Sequence, residues 1–225
     1  MLFRSAELDG ALRHAIPAHD FLSPILDSPA YESRSELTLL VDKPRPGDRH
    51  GDVDAGARLA RTSDVDDVAD IQVRAWRTAY RGILPDEILD SLDPSDIALE
   101  WGRALLTAKD DRLLVAVEDG RVVGAATVGP AADPHARDSG EIGMFVVDPD
   151  RWRRGHGSRL LMACVEHLRQ SGYNDAVTWI PVADEARRAF LVSAGWGPDG
   201  SYRDLETIPG SSIREVRLVS DITAG

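Results

Sequence analysis

Between Glu141 and Val182 the chain passes from an apolar run, Glu141-Ile142-Gly143-Met144-Phe145-Val146-Val147, through Pro149 and a basic, glycine-spaced turn. It then enters a helical apolar period and returns to a β-branched run at Ala176–Val182. Strand, helix and strand in that order form a crossover unit, and a crossover joins parallel strands. The first turn of the unit is therefore where a ligand is expected. Pro149 ends the strand ladder because it has no N–H to donate. Gly155 and Gly157 carry no Cβ, so a charged group can approach the backbone closely. The first N–H groups of the following helix lack internal partners and stand at the positive end of its dipole. Arg151, Arg153, Arg154 and Arg159 gather positive charge in a 225-residue chain whose 26 Lys plus Arg are outnumbered by 38 Asp plus Glu, a formal charge of −12. The natural guest is a diphosphate. A P-loop would need a lysine that this turn lacks, and a dinucleotide fingerprint would need a small residue where Leu160 stands. On spacing alone, a helix start with surface arginines competes with the anion site.

The remaining elements follow from pattern. Ala57–Arg61 reads as a strand, and Ser63-Asp64 as an N-cap before a helix running to about Trp76. Tyr80–Pro85 reads as a loop, and a second helix starts at Ser95. Strands are predicted at Arg112–Glu118, Arg121–Val128 and Glu141–Val147, the first two joined by a tight Asp119-Gly120 turn. A helix from Gly155 to about Gln170 buries Leu160, Leu161, Cys164, Val165 and Leu168. Then come a strand at Ala176–Val182, a helix at Asp184–Ala194, and strands near Ser201–Leu205 and Ile213–Val219. This order predicts an α/β fold: a mixed, mostly antiparallel central sheet of about seven strands with helices on both faces. Asp42–Gly56 alternates Pro and Gly with charges and reads as a linker. Residues 1–56 are thus expected to form an N-terminal extension and 57–225 the domain.

Composition narrows the function. At 43% hydrophobic and 28% charged residues the chain is globular in type. Its longest apolar-leaning runs, such as Val122–Ala132, fall short of the roughly 20 residues a membrane helix requires. Met1–Glu7 lacks a continuous apolar segment, so no secretory signal is expected. One cysteine, Cys164, excludes an internal disulfide framework. Its place among apolar residues marks it as core rather than nucleophile. His135 and Asp133 have no second histidine near them, so no metal is expected. The acidic total argues against nucleic-acid partners, and a cytoplasmic location is expected.

The motif Trp152-Arg153-Arg154-Gly155-His156-Gly157 resembles the Gln/Arg-x-x-Gly-x-Gly/Ala turn of the GNAT superfamily of N-acyltransferases. Two further stretches carry the likeness in the same order. Trp76-Arg77-x-x-Tyr80-Arg81-Gly82-Ile83-Leu84-Pro85 is similar to the acceptor-side helix and loop of one bacterial subgroup. Ala189-Phe190-x-x-x-Ala194-Gly195-Trp196 is similar to the family's closing Phe-Tyr helix and its Gly-Phe end. The resemblance spans about residues 57–220 and implies the GNAT fold, with acetyl-CoA or a related acyl-CoA as co-substrate and an amine as acceptor. It implies that the amides of Arg154, Gly155, His156, Gly157 and Ser158 hold the diphosphate, with Arg153 and Phe190 beside it. It also implies that Phe145, Val146 and Val147 bond the pantetheine arm like an added strand; Trp76 and Tyr80 are read as facing the acceptor, against the plainer reading of aromatic core packing. Many relatives dimerise, which makes a homodimer the assembly to expect.

Acyl transfer from a thioester to an amine asks for a base, an oxyanion stabiliser and a proton for the departing thiolate. Glu141, opening the apolar strand, is the base expected here, against the plainer reading of an exposed strand-end charge. The family's usual acid, the Tyr after Phe, is Leu191 in this chain. Either solvent protonates the thiolate, or another hydroxyl such as Tyr202 does, or the protein is not an efficient catalyst, and the sequence does not choose. Asp184 replaces a common Asn, and Trp152 a common Gln or Arg. His156 either touches phosphate or is solvated. Leu191 and Asp184 keep open an acyl-CoA-binding module with little catalysis, and a third reading is an interaction protein built around residues 1–56. The identity of the amine is not legible.

Overall fold

The computed structural model describes residues 55–208 and 211–223. The predicted extension lies outside them except for its last two positions. Twelve helices and strands follow in chain order: β1 (Gly56–Leu59), α1 (Val65–Ala79), α2 (Asp86–Ser91), α3 (Pro94–Thr107), β2 (Arg112–Glu118), β3 (Arg121–Pro130), β4 (Gly140–Val147), α4 (His156–Gln170), β5 (Asp175–Pro181), α5 (Glu185–Ser193), β6 (Gly197–Ile208) and β7 (Ser211–Asp221). Seven strands form one sheet in the order β1-β2-β3-β4-β5-β7-β6. Every neighbouring pair is antiparallel except β4 and β5. This is the mixed, mostly antiparallel sheet the sequence predicts.

Two cores cover the two faces. Trp76, Leu89, Trp101, Leu113, Ala125, Met144 and Val146 pack with α1, α2 and α3 on one face. Leu160, Leu161, Cys164, Leu168, Ile142, Ile180 and Leu191 pack with α4 and α5 on the other. The apolar positions of α4 fall at helical spacing, and Leu160 and Leu168 are almost fully buried. Truncating either to Ala would cost about 2–5 kcal/mol. Burial pushes the Cys164 thiol up to about 12, which fits an inert core residue.

Three local readings change. Asp86–Ser91, between the predicted loop and the helix at Ser95, is helical: Pro85 precedes it, Asp86 and Glu87 occupy its first turn, and Ile88 and Leu89 are buried. Six residues are too few to display a period. Asp64 does not cap α1 with its side chain; its carboxylate instead takes Arg58 at 2.6 and 3.0 Å and the Arg61 amide at 2.7 Å. The last two strands are longer than their apolar patterns indicate, because β6 carries on through a register break between Pro198 and Tyr202.

Two irregularities position the site. From Ala126↔Phe145 to Val128↔Ile142, β3 advances two residues while β4 advances three, so β4 carries a bulge at Gly143–Met144. The Met144 amide left over by the bulge donates to Thr127 Oγ1 at 2.9 Å. On its other side β4 pairs with β5 only at Gly140↔Ala176 and Glu141↔Val177. Beyond that point the two parallel strands part.

Candidate active site

The turn after β4 is held from three sides. Asp148 accepts from Arg74 of α1 at 2.8 and 3.1 Å and from the Asp150 amide at 3.1 Å. Trp152, exposed on its outer side, donates its indole N–H to the Val147 carbonyl at 2.8 Å. Arg151 pairs with Glu118 at the end of β2 at 2.6 Å. Arg153 (φ +60°) and Gly155 (φ +82°) both take the left-handed conformation. That turns the chain sharply into α4, and at Gly155 only glycine adopts it without strain. The first bond of α4 closes at Arg159, whose N–H reaches the Gly155 carbonyl at 3.1 Å. The amides of residues 154–158 make no turn or cap hydrogen bond of their own. They form a row of free donors at a helix N-terminus.

The wall beside them is apolar. A Cβ on Gly157 would stand 3.5 Å from Phe190 and 3.8 Å from Val147. Phe190 in turn lies with its ring centroid 5.9 Å from that of Phe145. Phe145, Val147, Gly157 and Phe190 thus converge at the parted edge of β4. Val146 faces the opposite core. His156 is a correction: its side chain is not solvated but 2% exposed. Its Nδ1 lies 3.1 Å from an Arg159 guanidinium nitrogen and its Nε2 3.3 Å from Glu118. An arginine can only donate, so Nδ1 is the acceptor in that contact, while the buried Nε2 makes no hydrogen bond. Glu118, joined to both Arg151 and His156, is a residue that sequence reasoning missed. Nothing in its strand-end position signals a role.

Past the bulge, a second group of side chains collects. Alternation along β5 and β7 puts Val177, Trp179, Glu215, Arg217 and Val219 on one face of the sheet. Glu141, paired with Val177, joins that face. Its side chain is half-buried, and Oε2 accepts from the Ala132 amide at 3.3 Å. Trp179 is covered by Arg203, 4.4 Å from its ring, and Arg217, 5.6 Å. Glu215 is fully buried and accepts from Arg203 at 2.8 Å through Oε2, while Oε1 has no hydrogen-bond partner. Tyr80, the C-cap of α1, is 7% exposed, with Trp76 buried behind it edge-on at 6.0 Å. Burial holds the Tyr80 phenol above its ordinary range; Arg187 works against that shift, while Asp184 and Glu215 add to it. Tyr202 lies elsewhere. It is 63% exposed on the edge strand β6, beneath the Arg214 guanidinium at 4.7 Å, and pairs with Val216 of the opposite core.

Arg187 links the two layers. It stands on α5, where its Nη1 donates to the Tyr80 hydroxyl and its Nη2 to the Gly143 carbonyl, each at 3.3 Å. α5 packs on one face of the sheet and Tyr80 belongs to the other, so the side chain passes through the opening between β4 and β5. Neither partner is a carboxylate. Leu191, one turn later, is 3% exposed in the core. Asp184 caps α5, accepting from the Arg187 amide at 3.0 Å. Among the described residues, no cluster of His, Cys, Asp or Glu is arranged to hold a metal, and no helix is long and apolar enough to cross a membrane.

Comparison with known proteins fits this geometry. The profile of the acetyltransferase (GNAT) family matches residues 67–196. The chain is 27% identical over 165 residues to the uncharacterized N-acetyltransferase YuaI of Bacillus subtilis, covering 72% of this chain and 90% of that one. Among solved structures, the PaiA N-acetyltransferase of Thermoplasma acidophilum in complex with coenzyme A superposes with a TM-score of 0.59 at 14% identity. That match covers 74% of this chain and 98% of the other. YncA of Salmonella typhimurium, a putative acetyltransferase with its cofactor acetyl-CoA, gives 0.56 at 21% identity over 76% and 96%.

Proposed function

The chain belongs to the acetyltransferase (GNAT) family and is an acyltransferase; on that premise we propose that it transfers an acetyl group from acetyl-CoA to an amine by direct attack. Residues 57–225 form the catalytic domain in this reading, with 1–56 as an appendage. One observation carries it: the free amides of residues 154–158 stand at a helix N-terminus beside two parallel strands that part after two residue pairs. The diphosphate binds those amides, with Arg153 and Arg154 adding charge. The pantetheine arm enters the opening and bonds the exposed backbone edge of Phe145, Val146 and Val147, with Phe190 as its apolar wall. The thioester then reaches the bulge.

Glu141 takes the proton from the attacking amine. Its half-buried place on the face with Trp179 and Glu215 supports that role. Direct attack rather than a cysteine-linked acyl-enzyme is supported by the burial of the one cysteine in the core with its thiol raised. Alignment of the two substrates supplies roughly 7–11 kcal/mol of the barrier reduction, and proton transfer by one placed group adds about two to four decades. Tyr80 lines the acceptor side, and Trp76 supports it from behind.

A second reading, an acyl-CoA-binding module with little turnover, draws on the buried Leu191 in the place of a tyrosine. Thiol release from acetyl-CoA across a panel of amines, with the product checked by mass spectrometry, separates the two. Amine-dependent thiol release with an acetylated product supports the enzyme. Binding without turnover supports the module, and no binding of acetyl-CoA ends both.

A further inference from the structure

An acetyl-CoA-dependent reaction leaves a thiolate in need of a proton, and the helix position where the resemblance puts a tyrosine holds Leu191, sealed in the core. No hydroxyl can act from there. The Tyr202 hydroxyl sits on an edge strand, exposed, in a strand pair whose neighbour Val216 faces away from the acceptor side. Tyr80 is different. Its hydroxyl is held by Arg187 at 3.3 Å, and the same guanidinium holds the Gly143 carbonyl at 3.3 Å. Gly143 lies in the bulge of β4 that opens the split, four residues before the end of the strand. A pantetheine arm running along β4 from the diphosphate turn brings its sulfur toward that bulge. The Arg187–Tyr80 pair spans the opening there.

We infer that Tyr80, oriented by Arg187, is the proton donor to the departing CoA thiolate, replacing the hydroxyl that Leu191 lacks. This rests on the acetyltransferase reading above. The amine nitrogen attacks the thioester carbonyl carbon, the C–N bond forms, and the C–S bond breaks with its electron pair on sulfur. The Tyr80 O–H proton passes to that sulfur. The proton lost by the amine goes to Glu141 and then to solvent, and solvent returns one to the phenolate. The Arg187 guanidinium, whose hydrogen bonds go only to neutral oxygens, keeps its positive charge beside the leaving group and the transient phenolate. Arg187 is a positioning residue by contact with Tyr80, and its charge lowers the cost of both anions.

The test compares Tyr80→Phe, Arg187→Met and the double variant. Thiol release from acetyl-CoA is followed with spermidine, lysine, glycine and kanamycin as amines and with water alone, while acetyl-CoA affinity is measured separately by titration calorimetry. Tyr80→Phe keeps the ring that packs on Trp76, so the fold is retained, and a thermal melt verifies this. The expected result is a loss of about 100-fold in kcat, with acceptor KM and acetyl-CoA affinity within about threefold of the parent. The double variant should be no slower than the slower single one, since groups acting as a unit are not additive. A raised acceptor KM with kcat intact would make Tyr80 an acceptor-binding group and overturn the inference. So would unchanged kinetics, multiplicative losses in the double variant, or a parent chain that binds acetyl-CoA yet releases no thiol in any arm. Failure of the parent to bind acetyl-CoA would instead bring down the acetyltransferase reading itself.

Discussion

The turn proposed to hold the diphosphate and the side of the sheet proposed to face the acceptor are built on opposite principles. The turn works through backbone: Arg153 and Gly155 in left-handed conformations aim a row of amides, and the side chains around them brace the loop. The acceptor side works through side chains brought from α1, β4, α5 and β7, namely Tyr80, Glu141, Arg187 and Glu215. A backbone site needs only a local conformation and tolerates exchange of side chains. A side-chain site needs the whole topology and tolerates little. Trp152 illustrates the first case. It stands where the family usually has Gln or Arg, yet its indole N–H still closes the turn on the Val147 carbonyl.

Substitutions can break this contrast. The largest effect is expected from Gly155→Val. At φ +82° a branched side chain is strained by about 1–3 kcal/mol, although a Cβ there would meet Arg159 only at ordinary contact distance, 3.5 Å. The amide row loses its aim, and calorimetry should show acetyl-CoA affinity falling about 100-fold. An unchanged affinity would mean that the turn is not the binding element. Glu141→Gln preserves size and removes one charge. It should lower turnover about 100-fold at neutral pH while leaving acetyl-CoA affinity intact; full turnover at every pH would remove Glu141 as base.

A third change probes a position away from both sites. Burial alone would raise the Asp64 carboxyl, but hydrogen bonds from Arg58 and the Arg61 amide, with their charges, hold it below the ordinary carboxylate range. A depressed folded-state value contributes stability above the unfolded value and loses it as pH falls through the folded one. Asp64→Asn should therefore cost about 1–3 kcal/mol in denaturant melts at pH 7, and the gap should narrow as pH falls through the depressed folded-state value. Acetyl-CoA affinity should not move. The smallest effect is expected from Trp152→Phe, which removes one hydrogen bond worth about 1 kcal/mol and should weaken acetyl-CoA about fivefold. A loss as large as that at Gly155 would show that side chains, not amides, carry the turn.

The same contrast explains what could be read from the residues alone. The turn was legible because its determinants lie within a dozen positions: an apolar strand, a proline, two glycines and a helical period. The succession of strands and helices along the chain followed from their apolar periods, but the order of strands within the sheet did not. The burial of His156, beside Glu118 from another strand, could not be read from local spacing. The bridge from Arg187 to Tyr80 joins positions 107 apart, and it exists only because β4 bulges and parts from β5. No local spacing encodes that. Helix α2 was hidden for another reason, since six residues show no period.

The central claim is that backbone amides at residues 154–158 grip the diphosphate of a thioester carrier. Calorimetric titration with acetyl-CoA and with S-acetylpantetheine, which carries the same thioester arm without the diphosphate, tests it most directly. Charged hydrogen bonds contribute about 1.5–3 kcal/mol each, so losing two or more predicts at least about 100-fold weaker binding of acetylpantetheine. Equal affinity for the two ligands would contradict the account.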